Sequence, residues 1–331
     1  MIEVATFRSG NNGFNDGNLV TDQSGKIIRD NVWGTLEEDT YRRDFTINAL
    51  YYCPITGKIE DHNKGLKHIH NKEIVSIGDP DLRFEEDPVR SLRAIRFCTK
   101  LNFKINNNIK EAIYKKGHLL SSVSNARLFD EFCKIFLNGM AEKNFNKLVS
   151  FGLNKYLVST NLNGCEFSNQ LIIEALRNTD NRIKNNQSVT PGFLIAALLW
   201  PQLIKKSLKG NEINLKKFFR SMDSILRNQQ KITAIPRKFH TYIKDIWVLQ
   251  LKLHSRIGRQ PYKTLKHPRF RAAYDFLLIR EKATAKTKDL GFWWTEFQKN
   301  NEDLKKKLIN DLKKNNLEES SKVFGFSKEL R

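Results

Sequence analysis

The sequence predicts an α+β protein in which a small β-containing head is followed by a predominantly α-helical neck, body and C-terminal domain. Three observations carry that reading. A strand-like alternation and a hairpin pattern stand within about the first 60 positions, helical spacing dominates the rest of the chain, and 331 residues at 40% hydrophobic content supply more than one packed core. The expected division is a partial head over 1–60, a neck over 61–150, a helical body with C-terminal domain over 151–299, and a charged tail over 300–331.

Met1 to Phe7 sets Ile2, Val4 and Phe7 among polar residues and reads as a strand. Ser9 to Arg29 is rich in Gly, Asn and Asp without an apolar period, which makes it a long loop. From Trp33 a charged turn leads into a helix over TINALYY (Thr46 to Tyr52), and Pro54 to Asp61 carries the residues of a hairpin. Helical spacing is then expected over Val89–Leu101, Ile109–Tyr114, Arg127–Leu137, Gly192–Leu199 and His240–His254. From Asn300 the chain reads as a solvated helix or a frayed tail.

Lys and Arg number 57 against 36 Asp and Glu, a formal charge of +21. A surplus of this size favours polyanionic partners through phosphate neutralisation, although a basic surface also serves plain solubility. The four cysteines, Cys53, Cys98, Cys133 and Cys165, form no Cys-x-x-Cys pair and sit in apolar runs, so buried, reduced thiols are expected. No stretch approaches the roughly 18 apolar residues of a membrane span, and MIEVATFRSG lacks the charged lead and apolar run of a signal peptide. No membrane partner and a cytoplasmic location are expected.

Two segments carry chemistry. In Glu38-Asp39-x-x-Arg42-Arg43-Asp44-Phe45-Thr46-x-Asn48, adjacent arginines at an expected helix start can gather a phosphate; the bland alternative makes Asp44 an N-cap and the arginines surface pairs. In Phe84-Glu85-Glu86-Asp87-Pro88-Val89-Arg90-Ser91-Leu92-Arg93, Asp87 before Pro88 marks a helix start, and Arg90 shares a face with Asp87. A carboxylate only accepts hydrogen bonds and a guanidinium only donates. Side by side they match a base edge with one amine donor and one ring acceptor, as adenine and cytosine present. A capped helix with a structural Asp–Arg pair is the alternative. His62, His68 and His70 cluster loosely, without the carboxylates or thiols of a metal set. Between Lys252 and Arg280 stand Lys252, Arg256, Arg259, Lys263, Lys266, Arg269, Arg271 and Arg280 against Asp275 alone, with Tyr262, Phe270 and Tyr274 interleaved. Such a surface can bind RNA by phosphate contact and base stacking, with part of the aromatics expected in the core. Trp247, Trp293 and Trp294 read as packing residues.

Taken together, IEVATFR, EEDxxRRDFTINALYY and RFEEDPVRSLRAIRF resemble the class II nucleotidyltransferases, the family of the CCA-adding enzymes and the bacterial poly(A) polymerases. The likeness continues through SNARLFDEF (Ser124 to Phe132), EALRNTDNRI (Glu174 to Ile183) and TPGFLIAALLW (Thr190 to Trp200). The block Ile246 to Arg280 is similar to the poly(A) polymerase branch. The resemblance implies a nucleotidyltransferase-type head, ATP as substrate, Mg²⁺ as the catalytic ion and RNA 3′ ends as acceptors in mRNA polyadenylation and RNA decay, with RNA-decay proteins as partners. It further implies that Asp44 is catalytic, that Arg43 and Asn48 contact the nucleotide, and that Asp87 and Arg90 read its base. Arg256, Arg259, Lys263, Arg269 and Arg271 are the expected RNA contacts.

Glu3 matches the family's third metal carboxylate. The Gly-Gly turn and Asp-x-Asp pair that precede it in the family are not found before Glu3, and Asp79-Pro80-Asp81 has the spelling in the wrong place. A truncated head with an incomplete metal site, inactive as the chain stands, is therefore expected, since one carboxylate does not hold two Mg²⁺ ions. Lys64-Gly65-Leu66-Lys67-His68 departs from the family's Gly-Gly and later aspartate. The alternatives are a CCA-adding enzyme acting on tRNA and a non-catalytic RNA-binding remnant.

Overall fold

Thr35 and Glu38 start the first helix. The Thr35 hydroxyl accepts the Glu38 N–H at 3.2 Å while the Glu38 carboxylate accepts the Thr35 N–H at 2.7 Å, a reciprocal cap that satisfies two orphan donors and begins α1 (Leu36–Tyr41). The computed structural model describes residues 4–8, 33–159, 166–209, 212–284 and 288–314. The chain forms two units, Met1–Ser122 and Val123–Arg331.

In the first unit α1 is followed by β1 (Tyr51–Tyr52), β2 (Ile59–Glu60), α2 (Gly65–His70), β3 (Glu73–Ile74), α3 (Pro80–Glu86), α4 (Val89–Leu101), β4 (Lys104–Ile105) and α5 (Asn107–Lys116). β1 and β2 form the expected antiparallel hairpin, and β3 runs parallel to β4. The helix expected over Thr46 to Tyr52 is instead a single 3₁₀ turn, Thr46–Asn48, that leads into β1. Pairing with a later segment overrides local propensity there. The Thr46 N–H donates to the Val75 carbonyl at 3.0 Å and the Ile77 N–H to the Asp44 carbonyl at 3.2 Å, so residues 44–46 run alongside 75–77. Of the strand expected from Met1 to Phe7, residues 4–7 are described and carry no strand. The ladder partner described for this stretch is one residue, Trp33, bridged to Arg8. The loop expected over Ser9 to Arg29 lies outside the described residues.

Asp61 opens α2, accepting the Gly65 N–H at 2.7 Å and the Leu66 N–H at 3.0 Å. A Cβ on Gly65 would lie 2.5 Å from the Thr46 carbonyl oxygen, so glycine alone allows this approach. The preceding Lys64 holds a left-handed backbone, φ 59°, which costs a non-glycine residue energy. Lys64→Gly is expected to raise stability by about 0.5–1 kcal/mol in urea denaturation, the relieved backbone outweighing the entropy glycine adds to the unfolded chain. His68 Nδ1 sits 2.9 Å from the Thr46 hydroxyl, tying α2 to the 3₁₀ turn.

The second unit is helical: α6 (Asn125–Phe136), α7 (Ala141–Ser150), α8 (Glu166–Lys184), α9 (Pro191–Ser207), then a short hairpin of β5 (Leu208–Lys209) and β6 (Glu212–Ile213), α10 (Leu215–Gln230), α11 (Arg237–Leu253), α12 (Gln260–Leu265), α13 (Phe270–Thr284), α14 (Lys288–Lys299) and α15 (Glu302–Lys314). The Thr190 hydroxyl caps α9 by accepting the Phe193 N–H, and Pro191 takes the first turn. From Leu194 to Pro201 every side chain is buried, because α9 is apolar all round and packs against α8, α10 and α11. Trp247 and Trp294 are fully buried, their indole N–H groups donating to the Ala196 and Leu253 carbonyls. With Trp293, they are core residues as expected.

The helical segments expected from spacing fall on helices, α4 with the same bounds, with Leu137 and His254 each one residue past the ends of α6 and α11, and the described part of the tail is helix α15. The thiols differ from expectation: Cys98 is buried, whereas Cys53 and Cys133 are partly exposed, and Cys165 lies outside the described residues. Burial, with the Asp130 charge, still pushes the Cys133 thiol up to about 11, which keeps it an unreactive thiol at neutral pH.

Candidate functional site

The end of α1 turns sharply through Arg42 and Arg43, and two carboxylates organise that turn. Asp39, one helical turn before Arg43, accepts its Nε at 3.1 Å and its Nη2 at 2.6 Å, and also receives the Tyr51 hydroxyl and the Arg8 N–H. Burial raises the Asp39 carboxyl, but the hydrogen bonds from Tyr51 and Arg43 outweigh it and hold it below its usual range. Arg43 is thereby fixed at one side of its guanidinium while its side chain stays 48% exposed. Asp44 is buried. Its Oδ1 accepts the Phe45 N–H and the Asn48 side-chain amide, each at 2.9 Å, and its Oδ2 accepts Arg93 Nε at 2.5 Å. The 3₁₀ turn itself starts at Phe45 without a side-chain cap, so Asp44 is not the N-cap of the bland alternative.

Arg93 brings the second motif to the first. Asp79 caps α3 by accepting the Asp81 N–H at 2.9 Å, and Pro80 takes the first turn. Asp87 closes α3 and opens α4, its Oδ1 accepting the Val89 N–H at 3.1 Å. Asp87, Arg90 and Arg93 recur every three residues and so occupy one face of the α4 entrance. Arg90 donates through Nη1 to the Glu86 carboxylate at 2.9 Å and to the Arg83 carbonyl at 3.0 Å. Its salt bridge therefore runs to Glu86. Because Arg93 reaches Asp44, the Asp87–Arg90 turn lies about one helical pitch, ~5 Å, along α4 from the residue that contacts the first motif.

A second tie comes from Arg83. Its Nη2 donates to the Arg42 and Arg43 carbonyls at 2.9 and 2.7 Å, and its Nη1 to Glu86 at 2.7 Å. Burial and the neighbouring Arg90 charge lower the Arg83 pKa, a sign that two guanidiniums crowd one carboxylate. Two guanidiniums on the one Glu86 carboxylate leave a local positive surplus suited to a polyphosphate.

No group of three or more His, Cys, Asp or Glu among the described residues is placed to hold a metal. Asp79 is a helix cap and Asp81 pairs with Lys115 at 3.3 Å, so the Asp79-Pro80-Asp81 spelling is structural. Glu3 lies outside the described residues. With Asp44 committed to Arg93 and Asn48, and Asp39 to Arg43 and Tyr51, the described carboxylates do not make an Mg²⁺ site.

In the second unit Arg259, Lys263, Arg269 and Arg271 are exposed or partly exposed, and Arg256 is partly buried over the Trp293 ring. Arg269 lies over Tyr242, and Arg271 lies over Tyr274 and pairs with Asp275 at 3.0 Å. Arg280, counted in the basic run, is buried over Trp200 and donates to Gln250. It is a core residue. Phe270 and Tyr274 are buried as well, so of the three interleaved aromatics Tyr262 alone keeps partial exposure.

Sequence reasoning missed Asp39, Tyr51, Arg83, Glu86 and Arg93 as members of this cluster. Asp39 four residues before Arg43, and Arg93 three after Arg90, were readable as same-face neighbours. Arg83 was not, since nothing local signals a side chain that satisfies carbonyls forty residues away.

Three family profiles match the chain: Poly A polymerase head domain over residues 1–75, Probable RNA and SrmB-binding site of polymerase A over 102–160, and Polymerase A arginine-rich C-terminus over 211–323. The chain is 37% identical to Poly(A) polymerase I of Salmonella typhi over 325 residues, covering 94% of this chain and 70% of that protein. It is 36% identical to Poly(A) polymerase I of Haemophilus influenzae, covering 94% and 71%. The CCA-adding enzyme of Bacillus pumilus is 28% identical, covering 76% and 65%. Among solved structures, a tRNA-processing enzyme in an apo form superposes with a TM-score of 0.58 at 20% identity, covering 84% of this chain and 76% of its own, a likeness of fold.

Proposed function

Since the chain belongs to the bacterial poly(A) polymerase family of nucleotidyltransferases, we propose that it is a polynucleotide adenylyltransferase that adds AMP from ATP to RNA 3′ ends. A bond forms between the RNA 3′ oxygen and the α-phosphorus, the bond from that phosphorus to the bridging oxygen breaks, pyrophosphate leaves, and the hydroxyl proton is lost. The observation that carries the reading is the Arg93–Asp44 contact, which joins the two sequence motifs in one unit.

In this scheme Asp87 and Arg90 read the base edge, Asp87 accepting from the exocyclic amine and Arg90 donating to the ring nitrogen. Arg43, anchored by Asp39 and Tyr51, faces the phosphates. Asp44 holds Asn48 and Arg93 against the sugar. Mg²⁺ is the ion the family implies, and the described residues do not form its site. We assign the four parts 1–60, 61–150, 151–299 and 300–331 to a head, a nucleotide- and RNA-binding neck, an RNA-binding body and a charged tail. The activity fits RNA 3′-end polyadenylation leading to decay, in the cytoplasm, with RNA-decay proteins as partners. Among the described residues no helix is long and apolar enough to cross a membrane.

The test joins the Gly-Gly and Asp-x-Asp segment of a curated relative to this chain and supplies each nucleoside triphosphate with several unrelated RNAs. Long A tracts on all of them are expected. Incorporation of C confined to tRNA ends would mark a CCA-adding enzyme and defeat the proposal.

A further inference from the structure

Two adjoining hollows of about 220 and 310 Å³ form one cleft on the second unit, bounded by α8, the start of α9, α11 and α13. They share Asn178, Arg182, Arg271 and Asp275. Asp275 forms an ion pair with Arg271 Nε at 3.0 Å and accepts a hydrogen bond from Arg182 Nη1 at 3.5 Å, while Arg182 Nε donates to the Ser188 carbonyl at 3.1 Å. One carboxylate between two guanidiniums leaves the cleft cationic. Neither Nη nitrogen of Arg271 makes a hydrogen bond among the described residues. At the far end Glu174 is already neutralised by Lys282 at 2.6 Å and Arg177 at 3.0 Å.

The wall above is aromatic. The exposed Arg269 guanidinium lies 4.9 Å from the centre of the Tyr242 ring, and among the described residues it has no carboxylate partner. A Cβ on Gly192 would come within 3.0 Å of Tyr242, so the glycine lets this ring settle onto α9. Between the arginines the side-chain amide of Asn178, partly buried, has no hydrogen-bond partner among the described residues although it carries both a donor and an acceptor. An amide in that state is matched by a ligand edge with one acceptor and one donor.

We propose that this cleft binds one unpaired nucleotide of an RNA strand, with its phosphate on Arg271 and Arg182, its base laid on the outer face of Arg269, and the base edge held by Asn178. The proposal rests on the reading that RNA is the substrate, and adds a position for it. Arginine planes stacked on aromatics are established platforms for bases, and a paired base has no face to offer them. Asn178 and Arg182 fall between the matched RNA-binding and arginine-rich segments, which end at residue 160 and begin at residue 211.

The test uses the 331-residue chain and fluorescence anisotropy with two labelled strands of equal charge, an oligoadenylate of about ten nucleotides and an abasic ribose-phosphate strand of the same length. The wild-type chain is expected to bind the base-bearing strand about tenfold tighter than the abasic one. Combining Asn178→Ala with Arg269→Ala shrinks that ratio about fivefold and leaves abasic binding within about threefold of wild type, whereas Arg271→Ala weakens both strands alike. Circular dichroism checks folding, and Asn178→Ser replaces the alanine if that variant is unfolded. An unchanged ratio in the double variant overturns the proposal, as does displacement of the strand by AMP at equal nucleotide concentration, which assigns the cleft to a free mononucleotide. Failure of the wild-type chain to bind either strand overturns the RNA reading itself.

Discussion

Asp44→Ala is expected to destabilise the N-terminal unit by about 2–4 kcal/mol, measured by urea denaturation. Asp44 is 7% exposed, and its carboxylate accepts three hydrogen bonds, from Phe45, Asn48 and Arg93. Its removal leaves the Arg93 guanidinium without its carboxylate beside a buried cavity, and frees the Asn48 amide. Arg93 is 31% exposed, and water recovers part of its solvation, which keeps the figure below that of a fully buried pair. In a double-mutant cycle with Arg93→Ala, the two losses should overlap by at least about 1 kcal/mol. Strict additivity would separate the two motifs energetically and remove the structural basis of the proposed site.

Much of the candidate site was legible because its residues obey short-range rules. Asp87 before Pro88 announced the entrance to α4, and the spacing of Val89 to Leu101 gave that helix its observed ends. The three-residue step from Asp87 to Arg90 placed both on one face, and one further step would have reached Arg93. What escaped the sequence was set by partners far along the chain. TINALYY became a 3₁₀ turn and a strand because residues 44–46 pair with 75–77. Arg83 entered the site by satisfying the Arg42 and Arg43 carbonyls, a contact with no local signature. Arg280 looked like one more surface cation until the fold placed it against Trp200 and Gln250. In the basic C-terminal region, charge identified the partner class but did not separate exposed arginines from core ones.

The larger consequence concerns choice of nucleotide. Arg90 is held by Glu86 and by the Arg83 carbonyl through Nη1 alone, so its Nη2 and Nε keep their donors for a ligand as far as the described residues show. Asp87 is fixed by the Val89 N–H at the same helix entrance. A rigid acceptor beside a rigid donor discriminates between bases, because a mismatched edge leaves partly desolvated groups unpaired. Losing either side of such a two-bond contact removes about 1–3 kcal/mol of discrimination, roughly 5- to 150-fold in the ratio of kcat/KM for the right and wrong nucleotide.

The most direct measurement is therefore the ATP-over-UTP and ATP-over-GTP ratio of kcat/KM for the chain carrying a relative's Asp-x-Asp segment, compared with its Asp87→Ala and Arg90→Ala variants. Both variants should lose most of the preference for ATP, in addition to any loss of rate. A preference that survives intact in both, with only the rate reduced, would contradict a base-reading role at the entrance of α4.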